Sequence, residues 1–271
     1  MSSAKDYVFT RDYLDNNRIN LQHHLAVQLF GYHIHPSIPT ESANLSIVDV
    51  GTGTGIWLTD QVDKFPSSVR LDGLDISLNA TPLPEMLPDN VKFNLWDIKD
   101  DVPEHLIGVY DVVHIRFFAF VLQEPDLEHV LDNLAKLLKP GGYLQWTDMD
   151  VNSCRLEKIR PEIEADAQLK LLKMFQGNDD RLRPAWVPKL PGLFAKKQFK
   201  EVECDAKECP PHLALFWHEC GLLATEVLAR SKEDDKDAAA MFKQMLNQAA
   251  KETRDGSYLA FTRYTVIGQK Q

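Results

Sequence analysis

A glycine-rich turn between an apolar strand and a helix is the feature that most constrains this chain. The apolar run 45–50 leads into Gly51, Gly53 and Gly55, and a helical pattern begins at Ile56. Glycine lets a ligand approach the backbone closely, and the N-terminus of a following helix offers free N–H groups. The third glycine comes one position earlier than in the Gly-x-Gly-x-x-Gly dinucleotide fingerprint, and no Gly-Lys-Ser/Thr sequence closes a phosphate-binding loop. The turn therefore predicts a nucleotide-like ligand without a pyrophosphate.

Short apolar strands alternate with helical segments over most of the chain. The predicted strands cover residues 45–50, 69–75, 91–97, 110–115, 143–147, 199–204 and 258–267. Helices are predicted before residue 36, after the glycine turn, over 126–138, and over most of 155–185 and 211–253. Repeated strand–helix–strand units favour a parallel sheet with right-handed crossovers. The pattern predicts an α/β fold with an open, doubly wound sheet.

Composition narrows the classes of partner. The chain has 271 residues, with 30 Lys and Arg against 40 Asp and Glu, for a net charge of −10. This charge disfavours nucleic-acid binding, which needs clustered cations. The four cysteines form no Cys-x-x-Cys pair, so we expect reduced thiols and no metal site. Because no hydrophobic leader and no run of about 18 apolar residues is present, we expect a cytoplasmic protein that does not bind a membrane.

Carboxylates follow two of the predicted strands. Asp75 lies at the end of the second strand, where its carboxylate can accept hydrogen bonds from both hydroxyls of a ribose. Asp97 ends the third strand, and its oxygens suit the exocyclic amine of an adenine whose ring packs on Ile76 or Ile98. Asp49 lies inside the first strand, so its burial requires a bond to the glycine turn or to a ligand cation. Together with the glycines, these positions favour an adenosine-containing ligand.

This order of motifs resembles a known enzyme family. Val48–Gly55, then Asp75, Asp97 and Leu138–Gly142 look like the motifs of class I S-adenosylmethionine-dependent methyltransferases. The resemblance implies a Rossmann-like sheet of seven strands that ends in an antiparallel hairpin. The roughly 50 residues between the last two predicted strands depart from the family pattern, and we expect them to form a helical cap.

A second resemblance, through segments 7–23 and 111–116, is to small-molecule methyltransferases of fungal secondary metabolism. Together the resemblances imply a helical lid over residues 1–40 and a cofactor-binding core over 41–150. Residues 151–271 would then hold the rest of the sheet and the substrate cap.

The family resemblance also implies roles for individual residues. Gly51 and Gly53 would contact the methionine portion of the cofactor, with Asp49 near its amino group and His114 near the transferred methyl. The residues implied to contact S-adenosylmethionine are Asp49, Gly51, Thr52, Gly53, Gly55, Trp57, Asp75, Ile76, Ser77, Asp97, Ile98 and His114.

The sequence indicates the residues that contact the substrate less clearly than those that contact the cofactor. A phenol or carbon acceptor would need a general base, for which His114 and Asp148 are candidates. The candidate substrate contacts are Tyr13, Asn17, Gln22, Phe117 and Phe118. Four residues could line an apolar cap, namely Trp186, Phe216, Trp217 and His218, although interhelical packing is the commoner role for such residues.

The absence of one motif narrows the substrate further. The segment 114–117 lacks the Asp/Asn-Pro-Pro-aromatic turn that marks enzymes methylating adenine or glutamine. We therefore expect methyl transfer to O or N of a small, partly apolar metabolite, with a homodimer left open.

Two alternatives stay open. One is a protein that binds the cofactor but acts as a non-methylating enzyme, such as a pericyclase, or as a regulator of secondary metabolism. The other is a nicotinamide-dependent oxidoreductase, which the early third glycine disfavours.

Overall fold

The apolar runs form one seven-stranded sheet in the computed structural model, which describes residues 12–176, 184–230 and 236–271. The strands are β1 (Ser46–Val50), β2 (Arg70–Asp75), β3 (Val91–Leu95), β4 (Tyr110–Arg116), β5 (Leu138–Lys158), β6 (Lys200–Glu208) and β7 (Ser257–Gln269). Their order is β3-β2-β1-β4-β5-β7-β6, and β7 runs antiparallel to both of its neighbours. The expected doubly wound, mostly parallel sheet is therefore confirmed.

Seven α-helices accompany the sheet in the described part of the chain. They are α1 (Tyr13–Phe30), α2 (Ile56–Thr59), α3 (Leu127–Leu137), α4 (Asp166–Phe175), α5 (Leu190–Lys196), α6 (Pro211–Arg230) and α7 (Lys236–Asp255). The α1 helix begins where the Asp12 side chain accepts hydrogen bonds from the N–H groups of Leu14 and Asp15. It ends at Gly31, whose φ of 84° suits glycine.

The core lies on both faces of the sheet. β1 and β4 are almost wholly buried, as strands covered by helices on both sides should be. On one face, apolar side chains of β4 and β5 pack with those of α3 and α5. On the other face, Trp57 and Leu58 of α2 pack against β1 and β2. The carboxyl ends of β1 to β5 consequently meet at one edge of the molecule.

One strand is much longer than the sequence predicts. β5 extends to Lys158, whereas the prediction covered only 143–147, and the prediction of helix at 155–158 is wrong. The extension forms because β7 pairs with β5 as far as Lys158, opposite Ser257. The proposed domain boundary at residue 150 falls inside this strand. The three proposed domain ranges stay predictions. Residues 1–11 of the proposed lid lie outside the described residues.

The expected cap is present. Helices α6 and α7 are inserted between β6 and β7, and α6 packs on α1 through a cluster that includes Leu25, Leu29 and Trp217. α7 packs on α4. None of the helices in the described residues is both long and apolar enough to cross a membrane.

Candidate functional site

A pocket of about 370 Å³ lies at the carboxyl ends of the parallel strands. The glycine turn after β1 and the residues that end β2 and β3 form one side. The loop after β4 and the start of the β5 extension form the floor, and α1, α4, α6 and β7 form the opposite side. Ligands of open α/β sheets bind at this edge, and here a cap also covers it.

The glycine turn folds over the end of β2. The N–H groups of Gly51 and Thr52 donate to the Leu74 carbonyl at 2.7 and 3.1 Å, and Gly53 N–H donates to Asp75 Oδ2 at 2.8 Å. Gly53 has a φ of 58°, and a Cβ added there would meet only Ile19, at 3.7 Å. The backbone at Gly53 therefore faces open space inside the pocket.

The neighbouring glycines are packed differently. A Cβ on Gly51 would collide with the ring of Phe118, and one on Gly55 would collide with the ring of Phe93. Gly51 lines the pocket beside Gly53, but Gly55 lies outside the pocket wall. The last glycine thus permits close packing, whereas the middle one leaves room for a ligand.

Asp75 lines the pocket at the end of β2. Its Oδ2 accepts from Gly53 N–H, and its Oδ1 accepts from Ser77 N–H at 3.1 Å. A carboxylate oxygen has about two lone-pair sites for hydrogen bonds. Ile76 is 45 % exposed beside it, and Asp97 accepts from Lys99 N–H at 2.9 Å on the same wall as buried Ile98. The predicted adenosine contacts are therefore brought together.

His114 lies beneath the pocket rather than in its wall. Its Nδ1 is 2.7 Å from Asp49 Oδ1, and its ring stacks on Trp57 with centroids 3.8 Å apart. Thr52 Oγ1 donates to the other Asp49 oxygen at 2.8 Å. Burial lowers the pKa of His114, and the hydrogen bond to Asp49 opposes that shift. His114, stacked on Trp57, holds Asp49, which lines the pocket together with Thr52. Trp57, like His114, does not line the pocket.

Asp148 fixes the loop that follows β4. Its oxygens accept from the N–H groups of Phe118, Ala119 and Met149 and from the Trp146 indole, at 2.8 to 3.2 Å. Burial raises the pKa of Asp148 to about 7, and the four N–H donors oppose that rise. The carboxyl group is thus committed to positioning backbone, although it also lines the pocket.

Helix α1 turns a different face to the pocket from the one predicted. Tyr13 is 72 % exposed and Asn17 is exposed, and the Asn17 amide donates to the Tyr13 carbonyl. Neither residue lines the pocket. Gln22 lines the pocket next to Arg18, and Arg18 Nη1 donates a hydrogen bond to Gln22 Oε1 at 2.9 Å. One helix cannot present positions 13 and 17 on the same face as 18 and 22, because each residue turns the helix by about 100°.

A chain of polar contacts anchors α1 to the sheet. The Arg116 guanidinium lies 3.1 Å from His23 Nδ1, so the other ring nitrogen carries the proton and donates to Asp60 at 3.0 Å. Burial lowers the pKa of His23 to about 3, with Arg116 as the next cause. His23, His24 and Asp60 place ligand atoms within 4.8 Å of one another, but Arg116 and Lys64 already supply cations there. We assign no metal to this cluster.

The sequence-based reading assigned no role to Arg263, which lines the pocket from β7. It is 4 % exposed, and its guanidinium lies 3.7 Å from the centre of the Trp217 ring. Trp217 and His218 line the pocket from α6, beside Phe117. The same prediction is wrong for Trp186, which is buried in the core, and for Phe216, which is exposed; neither lines the pocket. Its burial has a sequence signal, because Arg263 shares the phase of Leu259 and Ile267 in the alternation of β7, although that signal does not predict the contact with Trp217.

Comparison with known proteins gives the family. A family model described as a methyltransferase domain matches residues 21–207, more than two thirds of the chain. Methyltransferase grgD of Penicillium sp. is 37 % identical over 143 residues, which are 50 % of each protein. N-methyltransferase gliN of Aspergillus fumigatus is 29 % identical over 202 residues, or 73 % of this chain and 68 % of that protein. The chain spans about half the length of most of the curated relatives it matches.

Solved structures agree on the fold. Phosphoethanolamine N-methyltransferase 2 of Haemonchus contortus, in complex with phosphomonomethylethanolamine and S-adenosylhomocysteine, superposes with a TM-score of 0.54 at 13 % identity. The match covers 96 % of this chain and 58 % of that one. From the family match over residues 21–207, the chain belongs to the methyltransferase domain family.

Proposed function

We propose that this protein transfers a methyl group from S-adenosylmethionine to O or N of a small, partly apolar metabolite. The observation that carries the proposal is the open space at Gly53 beside the Asp75 carboxylate. A backbone without a side chain and an acceptor for a ribose diol stand together at the carboxyl edge of the sheet. Membership of the methyltransferase domain family supports the same cofactor.

The residues present fit the cofactor. Gly51 and Gly53 leave room for its methionine portion, and Asp49 offers a carboxylate at the pocket wall for the amino group. Asp75 would bind the ribose hydroxyls. The side chain of Asp97 would accept from the adenine amine, with Ile76, Ile98 and Ser77 around the ring. Trp57, Gly55 and His114 would support this wall from behind.

For the proposed reaction, the protein must mainly position the two reactants and exclude water from the pocket. When bound, S-adenosylmethionine supplies an activated methyl group that leaves a sulfonium by in-line displacement. Helices α1 and α6 cover the pocket, and Phe117 and Phe118 give it an apolar floor. Holding two reactants in line is worth several orders of magnitude in rate. The chain contributes that alignment through a rigid sheet edge and a helical cover.

The pocket favours an acceptor that needs little help from a base. Asp148 already accepts four N–H groups, and His114 lies beneath the wall. A neutral amine or an already ionised oxygen fits this arrangement better than a phenol does. The N-methyltransferase name of the gliN relative supports nitrogen among the acceptor atoms.

The setting of the reaction is part of the proposal. All four cysteines are free thiols in the structure, which agrees with a cytoplasmic site of action. The net charge of −10 disfavours a nucleic-acid substrate.

A methyl-transfer assay tests the proposal. Purified protein is incubated with methyl-labelled S-adenosylmethionine and a panel of small apolar amines, amides, phenols and carboxylic acids. We expect labelled product from at least one class, and none with Gly53→Val. Binding of S-adenosylhomocysteine by calorimetry without any transfer would favour the non-methylating alternative, and no binding at all would refute the cofactor assignment.

A further inference from the structure

The cap side of the pocket holds an unusual concentration of unsatisfied polar atoms. Within the described ranges, five buried side-chain nitrogen or oxygen atoms lack a hydrogen-bond partner. Three of these atoms belong to residues that line the pocket, namely Trp217 Nε1, His218 Nε2 and Arg263 Nε. Buried polar atoms are almost always satisfied in folded proteins, so such a group needs an explanation.

All three atoms are hydrogen-bond donors. The indole and guanidinium nitrogens carry hydrogen in every accessible state. His218 Nδ1 accepts from the Leu259 N–H at 3.3 Å, so the neutral ring carries its proton on Nε2. Burial lowers the pKa of His218 to about 4, which keeps the ring neutral. The wall therefore offers three N–H groups and needs an acceptor.

Arg263 also brings a charge without a counterion. No carboxylate forms an ion pair with it in the described part of the chain, and its Nη1 donates only to the Phe261 carbonyl, at 3.2 Å. The guanidinium instead stacks on Trp217 at 3.7 Å. Burial lowers the pKa of Arg263 to about 10, so the group stays charged at neutral pH. A buried charge is costly until it is paired.

The side chains around the three donors indicate the charge and polarity of the ligand that would accept from them. Apolar side chains line the pocket next to these donors, among them Phe117, Leu171, Leu222, Leu259 and Phe261. One guanidinium balances one negative charge, and a dianion would leave an excess charge against apolar surface. A planar carboxylate matches the fork of a guanidinium better than a single-point acceptor does.

We propose that Arg263, with Trp217 and His218, forms a subsite for the carboxylate of an acidic substrate whose apolar body lies along α4 and α6. This inference rests on the proposed function for the position of the cofactor on the opposite wall. It assigns the acceptor molecule to the class of small apolar monocarboxylic acids. The carboxylate anchors the molecule, so that its reactive atom faces the Gly53 side of the pocket.

Binding measurements on matched acid and amide pairs test the subsite. The probes are 4-phenylbutyrate, cinnamate and octanoate, each compared with its primary amide by calorimetry, with and without saturating S-adenosylhomocysteine. We expect at least one acid to bind ten-fold or more tightly than its amide. In Arg263→Met that ratio should fall to about one, whereas Arg160→Met, which changes an exposed arginine, should keep it.

The outcomes separate this inference from the proposed function. S-adenosylhomocysteine binding by Arg263→Met should equal that of the unchanged protein, which also shows that the variant folds. If Arg263→Met fails to fold, the same binding ratio is measured with Arg263→Gln. The acid-to-amide ratio of the unchanged protein tests the subsite in either case. Equal binding of acids and amides, binding of no acid, or a preference retained without Arg263 would overturn the subsite. Failure of the unchanged protein to bind S-adenosylhomocysteine would instead overturn the proposed function.

Discussion

The Asp75 carboxylate accepts a hydrogen bond from the backbone N–H of Gly53 at 2.8 Å, which joins the end of β2 to the glycine turn after β1. One side chain therefore shapes the turn and, in our proposal, binds the ribose. The two tasks are compatible because a carboxylate has about four lone-pair sites for hydrogen bonds.

Replacing Asp75 should weaken cofactor binding. For Asp75→Ala we expect the affinity for S-adenosylhomocysteine to fall by about 1.5–3 kcal/mol, the scale of hydrogen bonds to a charged group. That loss is roughly ten- to a hundred-fold in Kd by calorimetry. Asp89→Ala, which removes an exposed carboxylate on the loop before β3, is the control. Unchanged affinity in Asp75→Ala would contradict the ribose role.

A side chain at Gly53 should abolish binding while leaving the protein folded. Gly53→Ala places a methyl group in the open space and adds about 1 kcal/mol of left-handed backbone strain. Gly108→Ala is a matched control, because Gly108 has a φ of 67°, has open space around it and lies outside the pocket. Both variants should lose similar stability in denaturant unfolding, and only Gly53→Ala should lose the cofactor. Retained binding would place the ligand elsewhere.

Asp148 should act by positioning rather than as a base. Asp148→Asn replaces one oxygen with an amide that cannot accept from the surrounding N–H groups. We expect the free energy of unfolding to fall by about 2–3 kcal/mol, because buried donors lose their partner. Thermal unfolding measures this change. A variant as stable as the unchanged protein but unable to transfer methyl groups would instead identify Asp148 as the base.

Stability should fall on the acid side because of buried histidines. The pKa of His23 is about 3 in the folded protein and about 6.5 when unfolded, so the unfolded chain binds the extra proton first. Its contribution is complete above pH 6.5 and decreases by at most about 1.4 kcal/mol per pH unit below it. His218 adds a loss of the same sign. The contribution of Asp148 has the opposite sign, because its pKa is raised from 3.8 to about 7 in the folded protein, so its contribution decreases as pH rises from 3.8 to about 7 and stays constant above that value.

Denaturant unfolding between pH 5 and 8 checks this balance. His23→Gln should flatten the acid limb, whereas His105→Gln, which changes an exposed histidine, should leave it unchanged. An acid limb of the same slope in His23→Gln would show that His23 takes up its proton in the folded state as well.

The arrangement of the glycine turn and the cap could be predicted from the sequence, but the face of α1 and the place of Arg263 could not. Gly53 and Asp75 stand at the ends of apolar strands, and the sheet topology alone brings such positions together. Tyr13 and Asn17 lie outside the pocket because the rotation of α1 about its axis depends on packing with α6. Arg263 meets Trp217 only through the register of β7 against β5 and the insertion of the cap, which no local pattern encodes.

The inserted helices α6 and α7 are connected to the sheet at two points, the end of β6 at Glu208 and the start of β7 at Ser257. Two neighbouring antiparallel strands thus hold both ends of the inserted hairpin, while the glycine turn belongs to β1, three strands away from β7. A relative could exchange this hairpin wholesale and change which molecules it accepts without disturbing nucleoside recognition. Diversification of such proteins can therefore proceed at one end of the sheet alone.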